Sequence, residues 1–118
     1  MYRLPSDANL DFFKGKTLIQ ACFGANDLIL NFSENISVAV FSSIGVGLEA
    51  VNLKRFTAFE EASANILALL NKDVTDIHWT VDGTITLLFD NGHAIEVYDD
   101  STDFESYTIS SPAGQVIV

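Results

Sequence analysis

Asp76-Ile77-His78-Trp79-Thr80-Val81-Asp82-Gly83-Thr84-Ile85-Thr86-Leu87-Leu88-Phe89-Asp90-Asn91-Gly92-His93-Ala94-Ile95-Glu96-Val97 is the stretch that decides the fold. Ile77, Trp79 and Val81 alternate with Asp76, His78 and Thr80, and Ile85, Leu87 and Phe89 alternate with Thr84, Thr86 and Leu88. A period of two lays one face of a strand on a core. Asp82-Gly83 is the dipeptide that supplies positive φ at both centres of a type I′ hairpin turn, and Asn91-Gly92 closes a second hairpin before Ile95 and Val97. Three antiparallel strands in a meander are predicted.

The same pattern stands earlier in the chain. With Gly15–Val40 set beneath Asn71–Val97, Lys16 falls on Lys72, Leu18 on Val74, Ala21 on Ile77 and Phe23 on Trp79. After one extra residue in the second copy, Leu28 falls on Ile85, Leu30 on Leu87, Phe32 on Phe89, Val38 on Ile95 and Val40 on Val97. Either an ancient duplication or two meanders obeying one burial pattern produces such a match. Turns are expected near Asn26-Asp27 and Glu34-Asn35. Ile44, Val46 and Leu48 predict a further strand, weakened or bulged by Gly45 and Gly47.

Between the copies, Thr57 and Glu60 have capping-box spacing and Ala58–Leu70 is rich in helix formers. Phe59, Ala62, Ile66, Leu67 and Leu70 form one apolar stripe, which predicts a helix lying on a sheet. Leu10–Phe13 predicts a helical turn. Tyr107 with Ile109, then Pro112-Ala113-Gly114, then Gln115–Val118 predict a closing pair of strands. The expected fold class is α+β, mostly β: two antiparallel three-strand meanders (15–40 and 71–98) packed together with one helix at about 58–70, then C-terminal strands in 103–118. All of it is expected to form a single domain, 1–118.

Composition narrows the function classes. Of 118 residues, 48% are hydrophobic and nine are Phe, which excludes disorder despite the charge. Sixteen acids against six bases give a net charge of −10. After Lys72 no lysine or arginine follows, whereas nine carboxylates do. A one-signed field speeds encounter with a positive partner and repels nucleic acid and anionic membrane. Cys22 is the only cysteine, so no internal disulfide can form. Met-Tyr-Arg-Leu-Pro-Ser-Asp at the N-terminus has no apolar core of a secretory signal, and no apolar run is long enough to span a membrane. A cytoplasmic location is expected.

Gly15-Lys16-Thr17-Leu18, Phe23-Gly24, Asp27-Leu28, Leu30 and Phe32 resemble the opening of a small bacterial family of unknown function. The run Asp103-Phe104-Glu105-Ser106-Tyr107-Thr108-Ile109 is similar to that family's closing pattern of an aromatic, Glu-Ser, an aromatic and Ile. The resemblance implies a fold and no catalytic residues. As a class, small acidic proteins of this kind also resemble immunity proteins of bacterial toxin systems, which implies a toxin partner.

Cys22 and His78 fall on equivalent repeat positions, but a thiol–imidazole dyad also needs an orienting group and an oxyanion site. Asp76, His78 and His93 have too few histidines for an ordinary zinc site. Asp99-Asp100-Ser101-Thr102-Asp103-Phe104-Glu105 spaces oxygens as calcium loops do, yet Phe104 and Ser110 stand where an EF-hand needs Gly and Glu. Phosphate-binding glycine motifs and nucleophile elbows are absent. The reading is a non-enzyme with no metal and no cofactor.

The pleat assigns an outward face to the second meander: Asp76, His78, Thr80, Thr84, Thr86, Leu88, Asp90, Ala94, Glu96 and Tyr98. Leu88 and Tyr98 are apolar anchors among carboxylates, the composition of an interface for a basic protein. The partner-binding residues expected are Asp76, His78, Leu88, Asp90, Glu96, Tyr98, Asp99, Asp100 and Asp103. The function expected is neutralisation of a basic protein, most simply a toxin such as a nuclease. The alternative is a structural or adaptor module, a homo-oligomer pairing through its sheet edges. Small-ligand binding between the meanders stands third.

Overall fold

A computed structural model describes residues 3–48, 53–101 and 105–118. The first meander is β1 (Leu18–Phe23), β2 (Leu28–Phe32) and β3 (Ile36–Val40), followed by a hairpin of β4 (Ser43–Leu48) and β5 (Lys54–Phe56). A 3-10 turn, Phe59–Ala62, then runs into the helix α1 (Ser63–Leu67). The second meander is β6 (Val74–Trp79), β7 (Ile85–Phe89) and β8 (His93–Tyr98), again followed by a hairpin, β9 (Tyr107–Ser111) and β10 (Gly114–Ile117).

Each hairpin leaves its own meander and joins the other. β9 pairs with β3 and β4 with β8, so the two five-stranded sheets run β1-β2-β3-β9-β10 and β5-β4-β8-β7-β6. All pairs are antiparallel. The inner faces pack together on one core that includes Leu18, Leu30, Val38 and Ile109 from the first sheet and Ile44, Ile85, Leu87 and Val97 from the second. Phe59, Ala62, Ile66 and Leu69 close one side of it, and Leu10 and Phe13 come in from the N-terminal segment.

The likeness of the two repeats extends past burial pattern. Pairing skips one residue between Leu18 and Gln20 in β1, and one between Val74 and Asp76 in β6, so both repeats carry a bulge at the same point. The bulge turns Ile19 outward, leaving it 55% exposed. Where the repeats meet, the Leu18 N–H donates to the Lys72 carbonyl at 3.1 Å and the Val74 N–H to the Lys16 carbonyl at 2.8 Å, a reciprocal pair. Alternation alone produces neither the bulge nor the exchange of hairpins.

Among the described residues only Gly83 and Gly92, and neither Asp82 nor Asn91, take positive φ in the two turns of the second meander. These are therefore not type I′ turns. The Gly83 N–H bonds the Thr80 carbonyl and the Gly92 N–H bonds the Phe89 carbonyl, both at 3.0 Å, as in a longer loop ending on a left-handed glycine. The longer loop takes Val81 out of the strand. It is 84% exposed, where alternation had placed it inward. Trp79, next to that loop, faces the core but is only half-buried.

The helix is shorter than 58–70. Ala58, not Thr57, precedes the first turn, and no side chain caps it. Leu67 is exposed and Leu69 is buried, because Leu69 and Leu70 bond at i−3 rather than i−4 and rotate the last turn. β4 is neither weak nor bulged: it pairs with β8 without a break from Ser43↔Tyr98 to Leu48↔His93. No described helix is long and apolar enough to cross a membrane.

Candidate interaction face on the second sheet

The outer face of the second sheet is a grid set by register. His78, Thr86, Glu96, Gly45 and Arg55 lie side by side across β6, β7, β8, β4 and β5. Asp76, Leu88, Ala94 and Gly47 form the next row. Asp76, His78, Leu88, Glu96 and Tyr98 are thus brought together on one face. Ala94 and Thr86, also expected there, are nearly covered by longer neighbours, with Ala94 at 0%.

At one end of the grid Tyr98 lies across Gly45: a Cβ on that glycine would stand 2.5 Å from the phenol oxygen. The bare backbone is what lets the ring lie flat on the sheet. The Arg55 guanidinium sits over the ring at 3.9 Å from its centroid and pairs with the Asp100 carboxylate. The Ser43 hydroxyl donates to Asp100 at 2.6 Å and accepts from Arg55 Nε at 3.2 Å. Partial burial, then the Glu96 carboxylate beside it, push the Tyr98 hydroxyl up to about 12. Burial works to raise Asp100, but the Ser43 hydroxyl and the Arg55 guanidinium outweigh it and hold the carboxyl below its ordinary value.

At the other end the Ile77 N–H donates to Asp76 at 2.9 Å and is the main reason that its carboxyl lies below the ordinary value. His78 Nε2 at 3.4 Å and Lys14 Nζ at 3.6 Å add to this. Glu96 accepts from the Thr86 hydroxyl at 3.0 Å.

The remaining expected partner residues are placed differently. Asp90 is exposed but lies in the turn after β7, its N–H bonded to the Asp73 carbonyl. Asp99 is 8% exposed and structural: it accepts from Ser106 Oγ at 2.8 Å and from the Arg3 N–H at 3.0 Å, and packs against Gly83. As a rim contact it drops out. Asp103 lies outside the described residues.

Cys22 and His78 do not meet, because they lie on the outer faces of different sheets. His93 has the parity of Ile95 and Val97 and so points away from the face that carries Asp76 and His78. Its Nδ1 is shielded and has no partner among the described residues. Ala25, Asn26, Phe41, Thr57, Phe59 and Glu105, all in turns and links outside the strands, line an open hollow of about 640 Å³.

Residues 11–118 match a family of unknown function (DUF6188). The chain belongs to this family. The match takes in both the opening run from Gly15 to Phe32 and the closing run up to Ile109. No curated protein and no solved structure matches the chain.

Arg55, Ser43 and Gly45 belong to this face in addition to the residues expected from the sequence. The signal was present in Gly45 and Gly47, which alternate with Ile44 and Val46: a glycine on the outer side of a sheet marks a close approach. What approaches it depends on β4 pairing with β8, and local pattern does not contain that. The face as built presents partly exposed carboxylates, one apolar side chain and a Tyr98 ring held between Gly45 and the Arg55 guanidinium, so charge rather than an open ring face is what it turns to solvent.

Proposed function

We propose that this protein binds and neutralises a basic protein, as an immunity protein in the bacterial cytoplasm does with a toxin, and that the toxin is a nuclease. It acts by occupying a positive surface and performs no catalysis. The observation that carries this reading is the contrast between two equivalent sheets. The strands of the first, LIQACF, LILNF, ISVAV, YTISS and GQVI, contain no charged residue, whereas the outer face of the second carries Asp76, Glu96 and the Tyr98 ring, with its one arginine, Arg55, paired to Asp100. A nuclease must hold phosphate in a positive cleft, and an acidic face around an aromatic anchor complements it. Nucleic acid and anionic membrane carry the sign of the face itself and are repelled.

The test is protection. The product of the neighbouring gene would be expressed with and without this chain, and complex formation followed at low and at raised salt. A basic partner, bound at low salt and no longer bound by a folded Asp76→Lys/Glu96→Lys variant, is the expected result. Full protection by that variant would remove the second sheet from the interface, and an acidic or absent partner would end the proposal.

A further inference from the structure

The first sheet turns to solvent a face as ordered as the acidic one and opposite in character. Register places Cys22, Ile29, Ala39, Thr108 and Ile117 in one row across its five strands. Gln20, Asn31, Ser37, Ser110 and Gln115 make the row beside it. None of the ten is buried. One row is mainly apolar, the other carries amides and hydroxyls, and neither carries a charge in a chain of net charge −10.

The polar row, Gln-Asn-Ser-Ser-Gln, reads nearly the same from either edge, and reversal of the other row sets Ile29 against Thr108 and Cys22 against Ile117, uncharged on uncharged. In the polar row an edge glutamine bonds the next strand at each end: Asn31 Nδ2 donates to Gln20 Oε1 at 2.9 Å, and Gln115 Nε2 donates to Ser110 Oγ at 3.3 Å. A surface that meets its own copy across a two-fold axis must complement itself, and a row that is unchanged on reversal does so when the axis runs along the middle strand. The apolar row then lies on the apolar row and the polar row on the polar row. Short side chains let two sheets approach to ~10 Å, the spacing of stacked sheets. Charge selects the same occupant. Two copies of so acidic a chain repel through their acidic surfaces, and these two rows set no carboxylate against carboxylate.

We infer that the uncharged face of the first sheet docks a second copy of this chain, giving a symmetric dimer that displays both acidic faces outward. The dimer does not rest on the toxin reading and is measured on the isolated protein. β3 is the middle strand, so Ala39 of one copy faces Ala39 of the other, while Cys22 lies at the edge of its row.

The experiment is sedimentation equilibrium across a wide protein concentration, with cross-linking. Wild-type protein is expected to rise toward twice the monomer mass. The dimer should tighten as salt is added, because screening weakens the repulsion between copies, the opposite of binding to a basic partner. Ala39→Cys in a Cys22→Ser background should be joined into a covalent dimer by a short bis-maleimide, which spans facing sheets ~10 Å apart where a disulfide cannot, whereas Cys22 at the row's edge in the wild type should not. Ala39→Asp should return the protein to monomer with its circular dichroism unchanged; if that variant misfolds, Thr108→Lys serves in its place. A wild type that stays monomeric at every concentration overturns the inference. So does an oligomer that ignores both charged variants, which would assign association to the sheet edges.

Discussion

Gly15 and Asn71 stand at equivalent points of the two repeats and adopt the same backbone: φ is 81° at Gly15 and 67° at Asn71. Each then reaches across to the other repeat. The Gly15 N–H donates to the Val74 carbonyl and the Asn71 N–H to the Leu18 carbonyl, both at 2.8 Å. Leu18 and Val74 are themselves equivalent, so the seam is built from one contact made twice. A left-handed residue is needed at each site because the chain must leave a helical turn and enter a strand within two or three residues.

Gly15→Ala should therefore destabilise the protein by about 1 kcal/mol. Nothing lies within 4 Å of the added Cβ, so the cost is conformational. Asn71→Ala should cost about the same, because asparagine tolerates the left-handed region better than alanine does. Urea denaturation at constant slope measures both, and a neutral result at either site would show that the seam does not need the turn.

Tyr107 is fully buried and its hydroxyl donates to the Gly83 carbonyl at 2.6 Å. Tyr107→Phe strips that carbonyl of a buried donor and should cost about 1–2 kcal/mol. The loop it pins is the one that carries Val81, so amide exchange of Thr80 and Gly83 should quicken in the same variant. A loss of stability without faster exchange there would place the cost elsewhere in the core.

Tyr98 sets an alkaline limit. Its folded value, pushed up to about 12 by burial and by Glu96, lies above the ordinary 10.0. Neutral phenol is thus favoured by the fold: the stabilisation is present below pH 10 and is lost as pH rises toward 12. Ultraviolet titration of phenolate should show late titration from both Tyr98 and Tyr107, the latter raised further by its burial, and Tyr98→Phe should remove only the earlier of the two late steps. The Asp76 carboxyl behaves in the opposite sense. Its folded value is lowered, chiefly by the Ile77 N–H, so its contribution is present above 3.8 and fades as pH falls below it.

Binding to the basic partner should separate charge from contact. Asp76→Lys and Glu96→Lys should slow association and flatten its dependence on salt, whereas Tyr98→Ala should speed dissociation. Each is expected to cost on the order of 1–3 kcal/mol. Asp7→Lys is the control, being exposed and outside the second meander. Asp99→Ala should behave as a stability variant, since its carboxylate serves Ser106 and the Arg3 backbone. Stopped-flow kinetics at two ionic strengths distinguishes these cases. A Tyr98→Ala protein with unchanged dissociation would take the ring out of the interface.

Much of this was legible in the residues alone. Ile77, Leu87, Ile95 and Val97 face the core as alternation required, and the two meanders fall where the repeated pattern put them. The pleat has a period of two whatever a strand pairs with, so facing is a local property that sequence carries in full. The exchange of hairpins was not legible. β4 follows β3 in the chain but pairs with β8, and only the total burial of both sheets decides between those edges. That exchange carries Gly45 beneath Tyr98 and Arg55 above it, and it completes the two uncharged rows by bringing Thr108 beside Ala39. Asp99 shows the same limit, because a carboxylate after a strand looks like rim until Ser106 and the Arg3 N–H are folded onto it. Which way a side chain points is decided within two residues. What it meets is decided by packing across the whole core, where pairing partners are distant in sequence and no local pattern names them.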